Sequence, residues 1–168
     1  MDILVTAPIA LRATAESAGA HQAELLKRYA RSYLQKATEI ECYAQKAPGS
    51  CEGKGSIVLC REITKGGIEA ALWEAAEELK AGLRVELREV PIRQETVEVF
   101  NELDMDPYIL DSYGSWLLFV NDGAAVLAEL RSQGFSDAAL IGYTTKDRKR
   151  VMIYSGVERF LLPPKRYL

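Results

Sequence analysis

The sequence has few of the residues on which active sites and covalent cross-links usually depend. It contains one histidine, His21, and three cysteines, Cys42, Cys51 and Cys60, among 168 residues. A lone histidine in a predicted helix gives little support for a Ser-His-Asp or Cys-His catalytic set. The cysteines form no C-x-x-C pair, so we expect reduced thiols rather than a disulfide framework or a zinc site.

Long apolar runs and concentrated positive charge are also missing. The sequence has no uncharged apolar run of about 18 residues, which is the length that a membrane-spanning helix needs. The N-terminus lacks the basic and then apolar layout of a secretion signal. The net charge of −3 argues against a nucleic-acid partner, because binding to phosphate backbones needs a basic surface. These absences predict a cytoplasmic protein that binds neither membranes nor nucleic acids.

The composition predicts a globular protein with one domain over residues 1–168. Hydrophobic residues make up 48% and charged residues 27% of the chain, and this length is sufficient to bury a core. Residues 45–56 are rich in Gly, Pro and Ser and are predicted to form a flexible loop. The Gly53-Lys54-Gly55-Ser56 motif within them lacks the full phosphate-loop pattern, and a strand follows it instead of a helix. Residues 163–168 are predicted to form an extended tail.

Apolar periodicity predicts a mixture of helices and strands. The helices are expected over 21–39, 67–80, 94–103 and 122–133, the last with Asp122 as its cap. The strands are expected over 3–6, 57–60, 83–87, 116–120, 138–144, 150–155 and 157–162. The basic run 146–150 is interpreted as the solvated tip of a hairpin between two antiparallel strands, with a phosphate contact as the alternative.

The strongest candidate for a binding site is the turn formed by Thr64, Lys65, Gly66 and Gly67. It joins a predicted strand to a helix, so backbone N–H groups at the start of the helix are available to an anion. Glycine lets the backbone of such a turn approach a ligand closely. The alternative is a purely structural turn in which Thr64 caps the helix.

Several motifs in fixed order resemble one known family. They are Thr64-x-Gly66-Gly67, Ala70-x-Leu72-Trp73-Glu74-x-Ala76, Val90-Pro91-Ile92-Arg93, Asp106-Pro107, Ser112-Tyr113-Gly114-Ser115-Trp116-Leu117-Leu118 and Ala139-Leu140-Ile141-Gly142-Tyr143-Thr144. Together they resemble the C-terminal domain of the aminoimidazole ribonucleotide (AIR) synthase superfamily, nearest to its hydrogenase-maturation branch, well over residues 56–164 and weakly over the first 45. The resemblance implies an α+β fold with a mixed sheet, helices packed on that sheet and partial ferredoxin-like topology.

The resemblance also implies a location for ligand binding. In the family, the segment that corresponds to Glu62 through Gly67 lines a cleft near bound phosphates, with aspartate where this chain has Glu62. A second turn, with Ser112, Gly114 and Ser115, approaches the same cleft. These residues are predicted ligand-binding residues, and no catalytic or metal-binding residue is assigned.

Two features of the family are not found in the sequence. The resemblance leads us to expect that the N-terminal domain that binds ATP and metal is not part of this chain, so ATP with magnesium is expected only together with a partner domain. The terminal cysteine on which the hydrogenase maturation factors dehydrate a carbamoyl group is also absent, since the chain ends Lys165-Arg166-Tyr167-Leu168.

Three functional hypotheses follow from the resemblance. The first is a module, not catalytic alone, that binds a protein partner or a phosphorylated small ligand at the glycine turn. The second is one half of an ATP-dependent enzyme that a separate N-terminal-type domain completes. The third is a ligand-free homodimer with a structural or regulatory role.

Overall fold

A computed structural model describes residues 1–49 and 56–165. The described residues form six α-helices: α1 (Leu11–Ala20), α2 (Gln22–Leu25), α3 (Arg31–Thr38), α4 (Gly67–Leu79), α5 (Gln94–Glu102) and α6 (Gly123–Ser132). They also form seven strands: β1 (Asp2–Val5), β2 (Ile57–Glu62), β3 (Gly82–Glu86), β4 (Trp116–Val120), β5 (Ala139–Thr145), β6 (Arg150–Tyr154) and β7 (Val157–Phe160). None of these helices is both long enough and apolar enough to cross a membrane. Parts of the predicted loop and tail, 50–55 and 166–168, lie outside the described residues.

The strands form one mixed sheet in the order β2-β4-β1-β5-β3-β6-β7. Neighbouring strands are antiparallel except β3 and β6, which are parallel. The predicted α+β class, a mixed sheet with helices packed on it, is therefore confirmed. The predictions for α4, α5, β4 and the Asp122 cap are also confirmed, since the Asp122 carboxylate accepts the Ala125 N–H at 3.0 Å.

Helices cover the two faces of the sheet unequally. Helix α4 packs on one face along much of the sheet, where it buries Ile68, Leu72 and three alanines against β1, β3 and β4. Helix α6 covers the other face over β1 and β4. Helices α1, α3 and α5 form a separate apolar cluster that includes Leu34 and Phe100. Each cluster removes apolar surface from water, which is the main stabilising term for the fold.

The predicted hairpin around residues 146–150 is wrong. Strand β3 lies between β5 and β6, so these two strands do not pair with each other. The short connection between them passes over the start of β3, where the Leu83 N–H donates to the Lys149 carbonyl at 2.8 Å. A Cβ at Gly82 would lie 2.6 Å from that same carbonyl oxygen and would also contact Thr145 Oγ1. The absence of a side chain at Gly82 therefore allows the crossing.

The continuous helix predicted over 21–39 is also wrong. The chain forms the short helix α2, leaves helical geometry, and forms α3 from Arg31 onward. Leu25 from the first and Leu34 from the second are both buried in one cluster with Val99 and Phe100 of α5. Helices α2 and α3 bury their apolar residues in the same cluster. The helical spacing of apolar residues in the sequence therefore continues across residues 26–30, where the helix is interrupted.

The expectation of reduced thiols is wrong for one cysteine. Cys60 on β2 is disulfide-bonded, whereas Cys42 is free and exposed. Cys51 lies outside the described residues. The cytoplasmic location predicted from the sequence remains a prediction, and a disulfide counts against it because cytoplasmic thiols are usually kept reduced.

The crossing at Gly82 generates the first prediction. We expect Gly82→Val to lower the free energy of unfolding by about 2 kcal/mol or more, because the side chain has no space beside Lys149 and overpacking of this kind is costly. Urea denaturation monitored by circular dichroism measures this change. As a control, Gly19→Ala adds a methyl group where no other atom lies within 4 Å, so it is expected to leave stability unchanged or slightly raised. Equal stability of the two variants would contradict the crossing as a steric constraint.

Candidate functional site

The glycine turn lies between the end of β2 and the start of α4. The Gly67 N–H donates to the Thr64 carbonyl at 3.1 Å, which closes the turn. Gly66 is the N-cap residue with φ of 83°, Gly67 has φ of 66°, and no side chain caps the helix. The proposed Thr64 cap is therefore wrong. Thr64 and Lys65 are exposed, so the uncapped start of α4 has a hydroxyl and a cation beside it.

Gly67 is packed tightly against another segment of the chain. A Cβ on Gly67 would lie 2.5 Å from the Tyr108 carbonyl oxygen and 2.7 Å from the Leu110 carbonyl oxygen. The backbone of residues 108–110 therefore forms a wall beside the start of α4. The sequence analysis did not assign this segment to the site, although the neighbouring Asp106-Pro107 motif was part of the resemblance. Asp106 shapes the wall locally, since its carboxylate accepts the Tyr108 N–H at 2.9 Å.

The second predicted turn contains two buried serines with structural partners. Ser112 Oγ accepts the Ala10 N–H at 2.8 Å and donates to the Leu110 carbonyl at 3.1 Å. Ser115 Oγ donates to the Ala7 carbonyl at 2.6 Å. Both residues are fully buried. Their hydroxyls therefore hold the segment that follows β1 in place.

Two hydrogen bonds bring the predicted turns together. The Ile63 N–H donates to the Ser115 carbonyl at 2.9 Å. The Gly114 N–H donates to Glu62 Oε1 at 3.0 Å. Gly114 has φ of 84°, a conformation that favours glycine. The residues that sequence analysis proposed from two distant segments are thus neighbours in the structure.

Charged residues surround the start of α4. Glu69, in the first turn of the helix, forms an ion pair with Arg159 of β7, and its side chain is only 12% exposed. A carboxylate in the first turn also interacts favourably with the helix dipole. Strand β7 carries no motif that links it to the distant helix, so Arg159 is not predictable from the sequence as a neighbour of the site.

Tyr108 lies beside the same first turn. Burial raises the pKa of its phenol, and the nearby Tyr154, Asp106 and Glu69 raise it further. The phenol therefore stays protonated and is able to donate a hydrogen bond at neutral pH. Its OH lies 3.4 Å from the Leu87 carbonyl, which is a long contact.

The basic run 146–150 lies at the other end of α4. Arg150 forms an ion pair with Glu77, and its guanidinium lies 4.0 Å from the centre of the Trp73 ring. Asp147 accepts hydrogen bonds from the Thr145 hydroxyl and the Lys149 N–H, and these bonds lower the pKa of its carboxyl. With a rise of about 1.5 Å per residue, α4 separates this run from the glycine turn by roughly 20 Å. The run is therefore not part of the candidate site.

The described residues provide few candidate ligands for a metal ion. Within 1–49 and 56–165, no group of three or more His, Cys, Asp and Glu side chains is arranged to hold one. The nearest carboxylates, Glu62 and Glu69, already bind a backbone N–H and a guanidinium of the same chain. The chemistry that this arrangement supports is recognition of an anion by backbone N–H groups and Lys65.

Known proteins are similar to this chain in sequence and in fold. Carbamoyl dehydratase HypE of Rhizobium leguminosarum bv. viciae is 34% identical over 98 residues, which cover 56% of this chain and 28% of that protein. A crystal structure of the hydrogenase maturation protein HypE in complex with ATP matches with a TM-score of 0.68 and 20% identity, over 98% of this chain and 51% of that one. HypE in a HypE–HypF complex matches with a TM-score of 0.67 and 15% identity, over 97% and 52%.

The matched structures show the fold, and the chain spans about half the length of those HypE chains. The family model described as "AIR synthase related protein, C-terminal domain" matches residues 3–155. That match covers most of the chain and includes both turns of the candidate site. The chain therefore belongs to the family of AIR synthase related proteins, through their C-terminal domain.

Proposed function

We propose that this chain is a non-autonomous ligand-binding half, which binds a phosphorylated small molecule at its glycine turn in a site that a second domain completes. The observation that carries the proposal is the joining of the two turns at the uncapped start of α4, with Lys65 exposed beside them. An anion at that place interacts with backbone N–H groups, the positive end of the helix dipole and one ammonium group.

The relatives support a phosphorylated ligand. One matched HypE structure is a complex with ATP, and this chain has the same fold as half of that protein. Glycine at positions 66 and 67 keeps the backbone of the turn free of side chains, which suits close approach by a phosphate. We do not assign a catalytic residue to this chain.

In this proposal, the second domain supplies the ligands for a magnesium ion. Within the described residues no group of three or more His, Cys, Asp and Glu side chains is arranged to hold a metal ion, so ligands for a magnesium ion come from the second domain in this proposal. ATP with magnesium is then a ligand of the assembled pair. The second domain belongs either to a separate chain or to the same polypeptide.

A second candidate function is a protein-binding module, which an exposed apolar surface favours. Strand β7 forms one edge of the sheet, and Tyr154, Val157, Phe160 and Leu162 are each 55–70% exposed on or near it. Exposed apolar groups beside an unpaired strand edge are typical of an interaction site. The partner in this hypothesis is a second copy of the chain, since symmetric dimers are common; the matched HypE of the HypE–HypF complex shows that a relative of this fold binds a different protein.

A ligand titration tests the proposed site. We expect inorganic phosphate, AMP, ADP or ATP to raise the melting temperature of the chain, because a ligand at 100 times its Kd stabilises by about 2.7 kcal/mol. We expect Lys65→Ala to weaken binding by roughly fivefold, the effect of losing one exposed ionic contact. Thermal-shift titrations with and without magnesium measure both effects.

The matched control is Lys146→Ala, which removes an exposed lysine about one helix length away and is expected to leave the titration unchanged. If both lysine variants weaken binding equally, the anion binds through general surface charge and the site is wrong. If none of the probes shifts the melting temperature, the ligand-binding part of the proposal is wrong, and the protein-binding candidate becomes the better one.

The oligomeric state tests the protein-binding candidate. We expect the chain to form dimers at about 100 µM, and Phe160→Glu to shift it to monomers, because a buried unpaired carboxylate is costly at an apolar contact. Size-exclusion chromatography with light scattering measures the mass. Val58→Glu is the control, since Val58 is 48% exposed on the opposite edge strand β2. A wild-type monomer at this concentration would exclude the homodimer.

A further inference from the structure

Glu62 ends strand β2 at the point where the chain enters the glycine turn. Its side chain does not extend free into solvent, because Oε1 accepts the Gly114 N–H at 3.0 Å. A hydrogen bond from a backbone N–H to a carboxylate is charge-assisted and stronger than one between neutral groups. The carboxylate therefore links the last residue of β2 to a turn more than 50 residues later in the chain.

The Gly114 peptide is also held from its other side. Its carbonyl accepts the Gln45 N–H at 2.7 Å, and a Cβ on Gly114 would collide with the Cβ of Ala44. Trp116 Nε1 donates to the Gln45 carbonyl at 3.3 Å. The second turn is thus clamped between the Glu62 carboxylate and the segment 44–45, with no room for a side chain.

One further bond lies beside the Glu62 contact. The Ile63 N–H donates to the Ser115 carbonyl at 2.9 Å, so Glu62 and Ile63 bind the second turn at two successive positions. The Ile63 bond is a backbone bond and persists in any side-chain variant. Glu62 is therefore the side chain that holds the N–H of Gly114, whereas backbone bonds hold the carbonyl groups of Gly114 and Ser115.

We infer that Glu62 is a positioning residue, which holds the second turn rigidly against the glycine turn and acts on a ligand only through Gly114. The expected effect of Glu62 on ligand affinity rests on the proposed phosphate site. The hydrogen bond between Glu62 and Gly114 does not depend on that proposal. In this role the side chain needs an acceptor oxygen at the right reach, and it does not need a negative charge.

Amide exchange and ligand affinity measured on the same variants test this inference. In Glu62→Ala we expect hydrogen exchange at the Gly114 amide to rise about tenfold or more, since a lost hydrogen bond to a charged group lowers local stability by that order. Phosphate affinity is expected to fall with it. In Glu62→Gln the amide oxygen still accepts the Gly114 N–H, so both quantities are expected to return most of the way to wild type.

Two further variants complete the experiment. Glu62→Asp keeps the charge but shortens the reach by one methylene, so we expect it to resemble Glu62→Ala more than Glu62→Gln. Glu78→Ala is the matched control, because it removes an exposed glutamate that is paired with Arg61 and leaves Gly114 untouched. NMR-detected exchange at Gly114 and Ser115 reports on the clamp without any ligand.

Three results would overturn the inference. They are unchanged Gly114 exchange in Glu62→Ala, a Glu62→Gln affinity as poor as that of Glu62→Ala, and tighter phosphate binding in Glu62→Ala. The second result would mean that the charge contacts the ligand or a metal, and the third that Glu62 occupies the place of the anion. If the wild type binds no phosphate while Gly114 exchange still depends on Glu62, the proposed function fails and the positioning role stands.

Discussion

The packing of helix α4 on the sheet is the interaction on which the other features depend. Small side chains, including Ala71, Ala75 and Ala76, let the helix backbone approach the strands closely, and Ile68 and Leu72 fill the space between them. Polar contacts then fix both ends of the helix. Glu69 near its start binds Arg159 of β7, and Glu77 near its end binds Arg150 of β6. The helix therefore anchors the far edge of the sheet as well as its centre.

This packing also determines what surrounds the glycine turn. Because α4 is held along its length, its first turn is directed at the backbone of residues 108–110, and Gly67 fits there only because it has no side chain. The second turn reaches the same place from the end of the loop that precedes β4. A candidate site made from three distant chain segments thus depends on one buried helix for its geometry.

The sequence predicted best those elements whose boundaries are marked by strong local patterns. The helix α4, the glycine turn and the buried strand β4 have strong local patterns, and all three were predicted within one or two residues. The sequence was a poor guide to which strands pair in the sheet. A four-residue connection between two apolar strands normally indicates a hairpin, and Gly82 reads from the sequence as an ordinary glycine after a helix. The connection between β5 and β6 crosses over this glycine and contacts it through Lys149. No local sequence pattern reveals that contact.

The same distinction applies to the candidate site. The turn that contains Gly66 and Gly67 is recognisable from local sequence, whereas Gly114 and both serines were predicted because the family resemblance implied them. Two neighbours of those glycines, Gln45 and Tyr108, were not predicted, because they lie on segments that meet the turns only after folding. The same holds for Arg159, which pairs with Glu69. The role of Glu62 in the structure also differs from the role expected from the sequence. The resemblance implied that Glu62, at a position where the family has aspartate, binds the ligand, whereas in the structure its side chain accepts a backbone N–H of the second turn.

The charges near the glycine turn bear on which ligand the proposed site suits. A phosphate brought to the start of α4 meets two carboxylates, Glu62 and Glu69, and each is already compensated by a donor of this chain. Compensated carboxylates repel an anion less than free ones, and within the described residues no group of three or more His, Cys, Asp and Glu side chains is arranged to hold a metal ion. The proposed site is thus suited to the phosphate itself and poorly suited to its magnesium ion. In the proposed function, the second domain that completes the site is accordingly expected to bring oxygen ligands for the cation.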